Sequence, residues 1–246
     1  MSNFNIKPYL RSLKFKKSET INWSDYPFSI PAVADLESID FHSDVTFLVG
    51  ENGVGKSTIL EAIALSLGFS PEGGTRNFSL QNAQTTSELF NFIRPVRSYK
   101  KPENGYFFRA ESFYNVATYM DEVGYLGAYG NRSLHDQSHG ESFMSLLLNK
   151  LKCNGLYFLD EPEGSLSPTN QLNALAAIHE LSQQQSQFII ATHSPILLAY
   201  PSAKIIELTE TGVSYISYED TEQYRVMKDF INNHQYRINQ IILGKQ

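Results

Sequence analysis

One nonapeptide constrains this chain more than any other feature. Gly50-Glu51-Asn52-Gly53-Val54-Gly55-Lys56-Ser57-Thr58 fits the spacing G-x-x-x-x-G-K-S/T. Val45-Thr46-Phe47-Leu48-Val49 precedes it and reads as a buried strand. Lys56 to Leu67 follows with Ile59, Leu60, Ile63 and Leu67 at helical spacing. Strand, glycine loop and helix are the context in which the string has physical meaning. Glycines let the loop curl so that successive N–H groups converge on an anion. The helix N-terminus adds its partial positive charge. In such a loop Lys56 reaches the outer phosphates of a nucleotide, and the Ser57 hydroxyl is a ligand for Mg²⁺.

Two further apolar runs end in polar residues. Leu156-Tyr157-Phe158-Leu159 runs into Asp160-Glu161, and Phe188-Ile189-Ile190-Ala191 runs into Thr192-His193-Ser194. In an open parallel sheet, strand ends of this kind meet along the carboxyl edge, beside the glycine loop. Asp160 then suits the metal, Glu161 suits orienting or deprotonating a water, and His193 suits a terminal phosphate. Ser138-His139-Gly140-Glu141-Ser142 precedes a helical stretch from Glu141 to Leu151 and reads as a second anion cradle at a helix start.

The rest of the chain supports an α/β reading. A half-exposed strand is expected within 8–17, and a turn-rich stretch in 18–31. A helix is expected over 87–93, a strand at 106–108 and a helix over 112–121. Residues 124–140 read as a loop, 169–181 as a helix, 204–208 and 213–217 as strands, and 221–238 as a polar helix. Strand–helix alternation implies a mostly parallel sheet with helices on its faces.

Composition narrows the function classes. Net charge is −6, so no chain-wide basic surface exists for nucleic acid; Arg94, Arg97, Lys100 and Lys101 beside Tyr99 form a local basic cluster. The single cysteine, Cys153, excludes an internal disulfide and a cysteine-rich zinc site. His135 and His139, four apart in a loop-like stretch, lack a third ligand nearby. No apolar run approaches a membrane span and no secretory leader is visible, so a cytoplasmic protein is expected.

The order glycine loop, Ser-x-Gly-Glu, apolar strand with Asp-Glu-Pro, then Thr-His resembles an ABC-type ATPase, over roughly residues 45–195. More narrowly it resembles the small bacterial "AAA family" ATPases related to the SMC and RecF group. The resemblance implies a P-loop fold of ABC-ATPase type. Its mostly parallel sheet would be flanked by helices, with a small helical subdomain near 80–150 and an antiparallel N-terminal β part, all in one domain over 1–246. Gly50 to Thr58 match Walker A, Leu156 to Glu161 Walker B, Ser138 to Ser142 the signature, Glu163 to Ser167 the D-loop, and His193 the switch histidine. ATP and Mg²⁺ are the implied cofactors. Lys56, Glu161 and His193 are the implied catalytic residues, with Ser57 and Asp160 at the metal.

The implied assembly is a homodimer in which two chains sandwich ATP, Ser138, Gly140 and Glu141 of one facing the phosphates of the other. Its driven partner, a protein or DNA in repair or phage defence, is not specified. A transporter's nucleotide-binding subunit and an ATP-gated interaction module are the alternatives. Several positions depart from the pattern. Gln137, His139 and Glu141 replace the usual signature residues, and Ser167 replaces the D-loop aspartate. Glu111, Gln81 and Gln84 compete for the Q-loop position. Trp23, Tyr26, Phe28, Arg11 and Lys14 compete for the adenine contact. The stretch between Thr58 and Ser138 has no room for an SMC coiled coil and carries no sustained heptads.

Overall fold

A computed structural model describes residues 7–76, 86–113, 116, 118 and 138–244. Among the described residues, nine strands fall into two sheets. β1 (Leu10–Phe15), β2 (Ser38–Asp40) and β4 (Ile93–Arg97) form an antiparallel sheet in the order β2-β1-β4. The larger sheet has the order β5-β6-β7-β3-β8-β9. Its strands are β3 (Val45–Val49), β5 (Asn104–Arg109), β6 (Gly155–Asp160), β7 (Gln187–Ala191), β8 (Lys204–Thr209) and β9 (Gly212–Ile216). All neighbours are parallel except β8 and β9.

The central strands β3, β6 and β7 are buried at every position. Their near-continuous apolar runs follow, because both faces of a parallel sheet are covered. Alternation then sorts the side chains into two cores. Phe47, Tyr157, Leu159, Phe188 and Ile190 face one layer, which the helix Pro168–Gln183 covers with Ala174, Ala177 and Ile178. Leu48, Phe158, Ile189 and Ala191 face the other, covered by the helix Lys56–Ser66 through Ile59, Leu60 and Ile63 and by the antiparallel sheet. The remaining helices are Pro31–Ala34, His139–Ser145, Pro195–Leu198 and Glu222–Leu243. In chain order these α-helices among the described residues are α1 (31–34), α2 (56–66), α3 (139–145), α4 (168–183), α5 (195–198) and α6 (222–243).

One polar side chain joins the two sheets. Gln187 is fully buried at the start of β7. Its Oε1 accepts from Leu10 N at 2.9 Å, and its Nε2 donates to Leu10 O at 2.8 Å and His42 O at 2.9 Å. Every polar atom of the amide is thereby satisfied, as burial requires.

Two expectations need correction. The helix expected over 87–93 is a 3₁₀ turn, Glu88–Phe92, and Ile93 already begins β4. β4 carries Pro95, which an edge strand tolerates because its outer N–H side makes no ladder. Within 80–150 the described residues hold β4, the helix His139–Ser145 and β5, which covers the strand expected at 106–108 and belongs to the main sheet. The helix expected over 141–151 starts earlier, as α3, and its last turn, Leu146–Lys150, widens to π geometry. Most of the helix expected over 112–121, and the loop as far as Gln137, lie outside the described residues.

Candidate functional site

The glycine loop leaves β3 and enters α2 through three left-handed residues, Gly50 (φ 140°), Gly53 (φ 82°) and Gly55 (φ 100°). At Gly50 a Cβ would also run into the Leu208 carbonyl. Glycine is demanded there twice, by conformation and by space. Lys56 is buried, and its Nζ donates to the loop carbonyls of Gly50 (2.9 Å) and Glu51 (2.7 Å). Burial lowers the Lys56 pKa, while Glu161, Asp160 and Glu163 oppose the shift. The ammonium is thus a desolvated cation facing acidic groups, held by backbone oxygens that a phosphate can displace.

Asp160 ends β6 and is buried beside the loop. Ser57 Oγ donates to its Oδ1 at 2.9 Å, across 103 positions of sequence. Burial pushes the Asp160 pKa up to about 6, against the Ser57 hydrogen bond and the charge of Arg109. A hydroxyl and a desolvated carboxylate form a hard-oxygen pair of the kind Mg²⁺ takes. Glu161 follows in the left-handed region (φ 49°, ψ 52°), with its N–H bonded to Ala191 O at 2.9 Å. A non-glycine residue there costs about 1–3 kcal/mol, a strain typical of functional turns. Its side chain is exposed at the carboxyl edge.

An arginine missed by the sequence reading completes this corner. Arg109 pairs with Asp160 in the β5–β6 register. Its Nη1 bonds Glu61 Oε2 at 2.5 Å and Pro71 O at 2.9 Å, its Nη2 pairs with Glu111, and its Nε lies 3.9 Å from Asp160 Oδ2. Glu61 is buried on α2, and burial raises its pKa against the pull of Arg109. The signal was a charge inside an otherwise apolar helix face. Glu111, a candidate for the Q-loop position, is held by this arginine; Gln81 and Gln84 lie outside the described residues.

His193 sits at the end of β7. Its backbone N–H donates to Glu163 Oε1 at 2.5 Å, while its Nε2 and Glu163 Oε2 are buried without hydrogen-bond partners. Glu163 therefore ties the turn after β6 to the turn after β7. Ser167 has a local role, capping α4 by accepting from Asn170 N at 3.3 Å.

Ser138 caps α3 in a reciprocal box. Its Oγ accepts from Glu141 N at 3.3 Å, and Glu141 Oε2 accepts from Ser138 N and Ser138 Oγ, both at 2.8 Å. The carboxylate of Glu141 thus stands at the helix start where the sequence reading placed a phosphate of a second chain. Gly140 is buried, and a Cβ on it would come within 2.6 Å of Ser165 O. This helix start is therefore packed directly on the 162–165 turn.

Of the aromatic candidates, Tyr26 is the one joined to the loop: its hydroxyl is 3.2 Å from Thr58 Oγ1, and its ring is 66% exposed. Phe28 is buried and Trp23 packs between Phe15 and Phe28. Arg11 and Lys14 are exposed on β1. The cleft of about 450 Å³ on the β8 side of Gly50–Val54 is lined by Glu207, Glu210 and Glu222, an acidic wall that repels phosphate.

A family model for an AAA domain matches residues 28–119. The chain is 26% identical over 210 residues to the energy-coupling factor transporter ATP-binding protein EcfA2 of Methanospirillum hungatei, covering 76% of this chain and 51% of that one. It is 27% identical over 196 residues to an uncharacterized ABC transporter ATP-binding protein of Haemophilus influenzae, covering 68% of this chain and 71% of that one. The chain spans about half the length of the first of these curated relatives. Among solved structures, the SMC head domain from Thermotoga maritima is 17% identical, covering 85% of this chain and 99% of that one with a TM-score of 0.42. The glycine loop lies inside the span that the AAA-domain model matches, and over two thirds or more of its length the chain is similar to transporter ATP-binding proteins.

Proposed function

We propose that the chain, as a single domain over 1–246, binds ATP at Gly50–Thr58 and hydrolyses it. The observation that carries this is the bond of 2.9 Å from Ser57 Oγ to Asp160 Oδ1, which unites the two ends of a metal–phosphate site. The loop N–H groups and Lys56 hold the phosphates. Lys56 gives up the Gly50 and Glu51 carbonyls as it takes phosphate oxygens, an exchange that restores full charge pairing in a dry site. Ser57 and Asp160 would hold Mg²⁺, which supplies charge neutralisation at the outer phosphates. Glu161 accepts the proton of the attacking water; its strained backbone places the carboxylate at the edge rather than in the core. His193 contacts the terminal phosphate, and its unpartnered Nε2 supports that role. Tyr26 offers a ring face for adenine.

The dimer proposed is head to tail, with the partner's Ser138 and Gly140 completing each site. Glu141 has to leave the start of α3 for this, so the capping box exchanges one anion for another. The test is the mass of Glu161→Gln in solution by light scattering, with and without Mg-ATP, in a background where any nucleotide-independent association has been broken by substitution. A doubling of mass only with nucleotide is expected there. A monomer with ATP bound would sink the sandwich and with it the roles of Ser138, Gly140 and Glu141.

Two downstream readings have separate support. The names of the relatives favour a transporter's nucleotide-binding subunit. Among the described residues no helix is long and apolar enough to cross a membrane. The basic cluster favours a nucleic-acid partner in repair or phage defence. Arg97, Lys100 and Lys101 line a cavity of about 190 Å³ with Arg76 and Tyr99, and Tyr99 is 81% exposed. Salt-dependent binding of DNA, lost in Lys100→Ala/Lys101→Ala, separates the second reading from the first.

A further inference from the structure

The helix α6 (Glu222–Leu243) is 22 residues long, about 33 Å at 1.5 Å per residue. From Arg225 to Ile242 every residue except Asp229 and Gln240 is exposed. At Asn233 the backbone leaves helical geometry (φ −127°, ψ 24°), so the helix divides into two halves of about ten residues, each marginal alone in water. Yet α6 carries large apolar side chains: Val226 (60% exposed), Met227, Phe230, Ile231 (63%), Ile238, Ile241 (79%) and Ile242 (72%). At about 100° per residue Val226, Met227, Phe230 and Ile231 fall within about 140° on the first half, and Ile238, Ile241 and Ile242 within about 100° on the second, with His234 between them. Solvated helices do not carry such a stripe without a partner.

The stripe has a symmetry of its own. Positions 226 and 242, 227 and 241, and 230 and 238 are equidistant from 234. An antiparallel copy placed with His234 on the dyad sets Val226 against Ile242, Met227 against Ile241 and Phe230 against Ile238. Every one of these pairs is apolar. The flanking charges also fit. Lys228 falls opposite Gln240 and Asp229 opposite Asn239, so no charge meets a like charge. Ile231 falls opposite Arg237, whose Nε is already bonded to Asp229 Oδ2 at 2.5 Å. Self-complementarity about a point is what an isologous two-fold interface requires. The stripe exposes roughly 700 Å² of apolar side chain per copy, close to the ~800 Å² each partner gives in a standard interface.

We propose that α6 is a homodimerisation helix, pairing antiparallel with α6 of a second copy about His234, and doing so without nucleotide. This contact is separate from the ATP sandwich and stands if the sandwich fails. Joined through α6, two heads stay together while their nucleotide faces open, so re-engagement becomes intramolecular.

The test uses the full chain. Nucleotide-free protein at tens of micromolar should scatter as twice 27.8 kDa. Met227→Glu/Ile241→Glu, which opposes carboxylates across the dyad at exposed positions, should return it to one chain. Mg-ATP should still double the mass when Glu161→Gln is added to that variant, which keeps the two dimers distinguishable. In a Cys153→Ser background, His234→Cys should crosslink to itself under diamide. Met227→Cys alone should not, and Met227→Cys with Ile241→Cys should. A nucleotide-free monomer, or self-crosslinking by Met227→Cys alone as a parallel pair would give, overturns the proposal.

Discussion

Replacing Asp160 with asparagine should make the nucleotide-free chain more stable at neutral pH, although it removes a proposed metal ligand. Burial raises the Asp160 pKa from 3.8 to about 6 even with Ser57 and Arg109 beside it. The folded chain therefore holds a proton on Asp160 more tightly than the unfolded chain does. Between those two values stability falls as pH rises, and above about 6 the full penalty is present. At 1.36 kcal/mol per unit it amounts to about 3 kcal/mol. Asparagine carries no charge to desolvate and still offers Ser57 an acceptor oxygen. Burying its amide takes back part of the gain, so about 1–3 kcal/mol is expected, or roughly 2–12 °C in Tm for a chain of this size. The assay is thermal and urea unfolding in EDTA at pH 7.5 and pH 4.5. The charge penalty falls from about 3 kcal/mol at pH 7.5 to about 1 kcal/mol at pH 4.5, so after the constant amide cost the gain should be largest at pH 7.5 and nearly vanish at pH 4.5. Mg-ATP should raise the Tm of the wild type and fail to do so for the variant. An Asp160→Asn chain no more stable than wild type at pH 7.5, or a gain indifferent to pH, would refute the reasoning.

Other substitutions test the remaining supports. Gly50→Ala forces a Cβ onto the Leu208 carbonyl at a φ of 140° and should cost about 3 kcal/mol or more in urea unfolding while abolishing nucleotide binding. Arg109→Met leaves Glu61 buried without its cation and should cost about 3–5 kcal/mol; adding Glu61→Gln should recover most of that. Tyr26→Ala removes a stacking face and should weaken ATP binding by roughly 5- to 100-fold, read by titration of a fluorescent analogue, with Tm unchanged. Gln187→Leu strands the N–H of Leu10 and the carbonyls of Leu10 and His42, and should cost about 2–4 kcal/mol without moving the ATP dissociation constant of the folded chain.

What the sequence disclosed follows from how local each signal is. β3, the glycine loop and α2 were legible because apolar run, glycine spacing and helical period lie within about twenty residues. β6 and β7 were legible for the same reason, and parallel pairing along one edge brought their polar ends to the loop. β2 and β4 were missed because three-residue and proline-bearing edge strands depend on a neighbour, here β1, for their existence. Arg109 and Glu61 were missed because a buried ion pair is written in two places 48 residues apart, neither marked by a motif. Tyr26 could be named but not chosen over Trp23 and Phe28. Only the packing of those two rings against their neighbours, and the bond from Tyr26 to Thr58, separate them. The strain at Glu161 had no signal at all, since glutamate is a poor marker of left-handed backbone.

The Glu163 tether couples events that a list of motifs would keep apart. Glu163 holds the backbone of His193, and the turn it belongs to lies against Gly140 at the start of α3. On the proposed function, a shift of His193 on meeting a phosphate would pass through one short turn to the segment proposed to serve the other chain's nucleotide. In the proposed dimer, occupancy at one site would then alter the other. Hydrolysis should then depend on ATP concentration with a Hill coefficient above one, falling to one in Glu163→Ala.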